Sequence, residues 1–215
     1  SFDRTVYYIN CPSDGLSTAN QILKDLVFQA TMPETEFESE REVIRREISM
    51  GRDDADKVAS QEMFSTCYQR HPYGLPVIGY LQSFNQLKRS DLRNYYKERY
   101  VTDNTFIVIS GDLDMDVVRD QVNKLYGDIQ RVASPPVFIP TEPDQLGRRD
   151  SFVPYSNPIT RFWMSWKIPG ITDSNMPAID VLAVILGQGK SSRLFQTLKE
   201  QSGLVHNISA YSYTP

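Results

Sequence analysis

Four prolines, Pro135, Pro136, Pro140 and Pro143, fall within residues 132–147. Proline fixes φ and lacks an N–H, so neither a helix interior nor a central strand passes through such a stretch. The segment reads as a semi-rigid, extended linker. It divides the 215 residues into a larger part, 1–131, and a smaller one, 148–215. Apolar residues at 40% and charged residues at 23% are an ordinary globular balance, which argues against a disordered tail or fibre. The net charge of −4 supplies no reason to expect a nucleic-acid or anionic-membrane partner. The longest apolar run, 181–186, falls far short of the ~20 residues a membrane-spanning helix needs, so no membrane insertion is expected. Two cysteines, Cys11 and Cys67, are too few for a disulfide framework or a four-thiolate metal site, and they leave the compartment undetermined.

The pattern of elements predicts an α+β chain. Residues 4–10, rich in β-branched and aromatic side chains, read as a strand, as do 105–110, 151–155 and 159–167. Apolar positions at helical spacing predict helices over 16–30, 34–50, 55–69, 176–186 and 192–201. Ser90 is the expected cap of another through 98, and a turn at 111–114 leads into one that ends at Gly127. Thr31 is the expected cap of the helix over 34–50, with Glu34 reaching back and Pro33 in the first turn. An aromatic strand, a turn and an apolar helix occur in each part (5–9 and 160–166 being the strands), which hints at two copies of one unit, the second cut short. The chain begins inside one alternating stretch, 5–9, and stops inside another, 208–213, and so reads as a segment of a longer polypeptide.

The helix over 34–50 carries the chemistry. At about 100° per residue, Glu40 and Glu47 nearly eclipse, with Val43 and Ile44 between them. Arg41, Arg45 and Arg46 lie mostly elsewhere. A carboxylate turned toward a core is costly unless it is paired, hydrogen-bonded or bound to a metal. Spacing alone leaves open an ion-paired acidic helix with a wider apolar stripe. The only histidines, His71 and His206, stand far apart and form no His-x-x-Glu-His or His-Glu-x-x-His motif. His71, just before Pro72, reads as a turn residue, and His206 as structural. The run Gly187-Gln188-Gly189-Lys190-Ser191 lacks the first glycine of a phosphate loop, Val184 standing in its place, and reads as a turn opening a helix with Ser191 or Ser192 as cap.

Several motifs, taken in order, resemble the pitrilysin/insulinase/mitochondrial-processing-peptidase group of zinc metallopeptidases, the M16 family or inverzincins. Asp3-Arg4-Thr5-Val6-Tyr7-Tyr8 is similar to the strand after that family's zinc helix. Glu40-Arg41-Glu42-Val43-Ile44-Arg45-Arg46-Glu47 is similar to its distal acidic helix. His71-Pro72-Tyr73-Gly74, Val77-Ile78-Gly79, Tyr100, Asn104 and Val108-Ile109-Ser110-Gly111-Asp112 resemble the loop, strand and turn that follow. The run from Leu186 to Phe195, with Gly203-Leu204-Val205, resembles the second domain's signature.

The resemblance implies a sheet covered by helices, with residues 1–131 as the distal part of the catalytic domain and 148–215 as the beginning of a second, similar domain. It implies Glu47 as a zinc ligand and Glu40 as a carboxylate that supports the site from behind the ligands. The family's His-x-x-Glu-His is absent, and its general-base Glu is expected upstream of Ser1, so no catalytic residue is expected within this segment. The implied function is that of a zinc-dependent endopeptidase acting on unfolded peptides, with a second M16-like half or subunit closing the chamber. The isolated chain is expected to be inactive and without zinc. The alternative is a non-catalytic scaffold or partner subunit of the same fold.

Overall fold

A computed structural model describes residues 1–214. The chain forms two compact units, Arg4–Trp163 and, with Ser1–Asp3, Met164–Pro215.

The larger unit contains six α-helices: α1 (Leu16–Phe28), α2 (Glu34–Arg52), α3 (Ala55–Cys67), α4 (Leu81–Gln86), α5 (Arg89–Arg99) and α6 (Met115–Tyr126). Local chemistry sets several starts. The Asp54 carboxylate accepts from the N–H groups of Asp56 and Lys57 at the head of α3, and Asp114 does the same at α6. At α5, the Asp91 carboxylate reaches back to the Lys88 N–H, so that helix begins before the Ser90 cap the sequence suggests. Thr31 does not cap α2. Its N-cap is Pro33, without a side-chain bond, and Met32 makes the turn at φ 48°. The short α4 carries too few periodic positions to stand out in the sequence.

Helix α1 packs on α6. Phe28 meets Tyr126 edge to face at 6.3 Å, and the Tyr126 hydroxyl donates to the carbonyl of buried Asn20 at 3.0 Å. Tyr96 of α5 ties the end of α1 down by donating to the Val27 carbonyl and accepting from the Ala30 N–H. Its neighbour Tyr100 bonds Tyr7 at 2.7 Å, and burial together with that bond pushes the Tyr100 phenol far above its ordinary range.

The Pro-rich segment and the residues after it are laced onto α3 and the turn beyond. The Glu142 carboxylate accepts three consecutive N–H groups, of Gln69, Arg70 and His71, at 2.7–3.0 Å. Arg149 donates to the Thr66 and Cys67 carbonyls, Ser151 bonds Glu62, Tyr155 donates to the Arg52 carbonyl, and Arg161 grips Asp56 at 2.5 and 3.2 Å.

The smaller unit holds α7 (Met176–Gly187) and a π-helical turn, Phe195–Gln201. The glycine closing α7 lies against the backbone of Ala210, so close that a Cβ on Gly187 would sit 2.0 Å from the Ala210 nitrogen. Gly203, at φ 59°, ends the π-helical turn in the left-handed region, and the Leu204 N–H returns to the Leu198 carbonyl at 2.9 Å.

The α+β expectation needs correction. Among the described residues every regular element is a helix and no strand pairs with another. The stretches 4–10, 105–110, 151–155 and 159–167 are non-helical, but they form no ladder. Their large side chains, among them Val6, Tyr8, Phe106, Val108, Phe152 and Phe162, stand exposed. Alternating β-branched and aromatic residues supply an extended chain that fits a pleated surface. A strand also needs a partner, which local sequence does not provide.

Candidate functional site

Helix α2 turns one face inward. Phe37, Arg41, Ile44, Arg45 and Gly51 are half-buried on it and Ile48 is buried. The apolar stripe is therefore narrower in hydrocarbon than a core helix needs, and arginine stems complete it with their heads at polar partners. Arg41 donates to the Asn85 carbonyl at 3.2 Å and Arg45 to the Asn85 side-chain oxygen at 2.8 Å. These two arginines, expected away from the apolar stripe, are part of the packed face.

Glu40 and Glu47 lie beside that face, not on it. Both are exposed, on a stripe shared with Val43 (47% exposed) and Met50 (69%). Neither carboxylate forms a hydrogen bond or ion pair among the described residues. By contrast Glu38 and Glu42 on the same helix pair with Arg41 and Arg45. Of the six acids on the helix, Glu34, Glu38 and Glu42 pair with arginines, while Glu36, Glu40 and Glu47 have no bonded partner among the described residues, the last two beside exposed Val43 and Met50.

The other candidates separate from this stripe. His71 precedes the turn Pro72–Gly74, its Nδ1 accepting from the Tyr73 N–H at 3.2 Å. The ring lies 4.2 Å from Tyr73 and 5.8 Å from Tyr68, centroid to centroid. An Nδ1 that accepts leaves the neutral ring's proton on Nε2, and the histidine acts as a turn residue. His206 is exposed in the smaller unit. Ser192 is buried and its hydroxyl donates to the Gly189 carbonyl at 2.8 Å, closing a turn. Among the described residues no three His, Cys, Asp or Glu side chains gather into a metal-binding group. Sequence reading passed over Glu142 and the arginine contacts to Asn85. The spacings of 71–73 residues between Glu142 and its partners leave no local trace.

Comparison with known proteins extends this picture. The model of the family described as Insulinase (Peptidase family M16) matches residues 1–80, and that of the Peptidase M16 inactive domain matches 86–215. A Rickettsia felis protein named "Uncharacterized zinc protease" is 25% identical over 213 residues, covering 99% of this chain and 51% of its own length. One of the same description from Mycobacterium leprae is 27% identical over 214 residues, covering 96% and 47%. The chain spans about half the length of the curated relatives it matches. Among solved structures, a protease from Helicobacter pylori superposes with a TM-score of 0.80 at 22% identity, over 94% of this chain and 52% of that one. The peptidase M16 inactive domain from Pseudomonas fluorescens gives 0.73 at 17%, over 94% and 49%. The backbone path is thus M16-like even where strands are unpaired, and since the second family model alone covers more than half of the residues, the chain belongs to peptidase family M16.

Proposed function

We propose that the whole protein carrying this chain is a zinc-dependent endopeptidase that hydrolyses unfolded peptides, and that α2 contributes Glu47 as a carboxylate ligand. The observation that supports this reading is the pair of bondless carboxylates, Glu40 and Glu47, within the stretch matched by the insulinase model. Glu40 and Glu47 share a stripe with exposed Val43 and Met50, whereas Glu38 and Glu42 pair with Arg41 and Arg45. The same point weighs against a non-catalytic partner subunit.

The donors fit the metal in part. Glu47 is a suitable oxygen ligand, and Glu40, two turns earlier, is placed to accept a hydrogen bond from another ligand and hold its orientation. A catalytic zinc takes three protein ligands, and this chain gathers no such set among its described residues. The remaining ligands and the general-base Glu are assigned to a part of the whole protein outside these residues. What the metal supplies when bound is Lewis acidity and a water of lowered pKa.

In this reading residues 1–131 are the distal part of the catalytic domain, 132–147 the connector and 148–215 the opening of the second domain. A second M16-like half or subunit closes the chamber, and the peptide is read through its backbone.

Cleavage of an unfolded peptide by the whole protein tests this directly. Chelator should abolish it and added zinc restore it, while the isolated chain shows neither tight zinc nor cleavage. Cleavage indifferent to chelator would contradict the assignment.

A further inference from the structure

About 120° around α2 from Glu40 and Glu47, a cleft of about 560 Å³ opens between α2 and the start of α5. We infer that this cleft binds a small organic molecule through a dianionic phosphate monoester. The charge count points there first. Arg41 pairs with Glu38 at 3.1 Å, and Arg89 with Glu34 at 3.4 Å, so these four charges cancel. Lys88 and Arg93 also line the cleft, and neither forms an ion pair among the described residues. Two positive charges are left uncancelled. A monocarboxylate would neutralise one of them; a phosphate monoester above its second pKa, ~6, neutralises both.

The donors point the same way. The Arg41 Nε is buried without a hydrogen-bond partner. The guanidinium around it is held by the Asn85 carbonyl and by the Phe37 ring, whose centroid lies 5.5 Å from its central carbon. Arg89 and Ser90 open α5 on the same cleft, and their N–H groups precede the helix's own ladder. Two free cations and a helix start thus line one cleft, with Phe37 and Leu87 as an apolar wall for the organic part. The volume suits a nucleoside or sugar phosphate, since pockets for such ligands span about 300–1,000 Å³.

Calorimetric titration of the whole protein with adenosine 5′-monophosphate, glucose 6-phosphate, inorganic phosphate and a phosphoserine peptide tests the assignment. Saturable binding of one small ester, at least tenfold tighter than inorganic phosphate, is expected. The Lys88→Ala/Arg93→Ala double variant should weaken it at least tenfold, and Lys24→Ala should leave it unchanged. Lys88 and Arg93 are exposed, so the double variant should melt as the parent does, which a thermal scan checks. No saturable binding, or equal binding by the parent and the double variant, overturns the site. Inorganic phosphate binding as tightly as the esters overturns the organic half of the proposal. Tighter binding of the phosphoserine peptide overturns the small-molecule source.

Discussion

Glu142 holds three successive N–H groups and faces Arg149 at 3.6 Å, with only 8% of its side chain exposed. Charge-assisted bonds of this kind are the strong ones, and removing one partner leaves the others buried and unmet. Glu142→Ala should therefore destabilise the larger unit by about 3–5 kcal/mol, as breaking a buried pair does. Denaturant unfolding reads this; a loss below about 1 kcal/mol, the worth of a surface pair, would contradict it. The Asp56–Arg161 pair behaves differently because it stands in solvent. The bond from Arg161 holds the Asp56 carboxyl below its ordinary value of 3.8. A depressed carboxyl contributes stability above its unfolded value and loses it as pH falls through the lower folded one. A double-mutant cycle with Asp56→Asn and Arg161→Gln should show coupling at about pH 7 that disappears well below pH 3.8. Coupling that persists in strong acid would contradict the pairing.

At the scale of elements, helices were legible and strands were not. The 3.6-residue period placed α1, α2, α3, α5, α6 and α7 to within a few residues, because helix bonds and caps such as Asp54 and Asp114 lie within one turn of sequence. The stretch 4–10 carried the right residues for a strand and found no ladder among the described residues, since pairing is settled at long range. On α2, periodicity found Glu40 and Glu47 together but drew the packed face through them. The stems of Arg41 and Arg45 were invisible to a count of apolar letters. Gly187 tests how tightly an element is held. Gly→Ala in a helix ordinarily gains about 0.5–1 kcal/mol. Here the new methyl would meet the Ala210 backbone, so Gly187→Ala should cost about 1–3 kcal/mol in a thermal or denaturant melt. Gly147→Ala, with nothing near its Cβ position, should be close to neutral. Similar stability for the two variants would contradict the close approach.

The chain spans about half the length of the curated relatives it matches. Its many exposed apolar side chains, Val43 and Met50 beside Glu40 and Glu47 among them, form the kind of surface that marks an interface. The family was legible because its motifs recur in order along nearly the full chain, and both M16 models match it. The completed metal centre was not, because a set of ligands is a property of side chains brought together from separate segments. The proposed roles of Glu47 as a metal ligand and Glu40 as its support meet their sharpest test in the metal content of the protein. Zinc stoichiometry of the purified whole protein, measured by elemental analysis for Glu47→Gln and Glu40→Gln beside the parent, tests them most directly. Glu47→Gln should lose the metal, and Glu40→Gln should retain it with affinity weakened by about 10–100-fold. Full zinc content in Glu47→Gln would contradict the account.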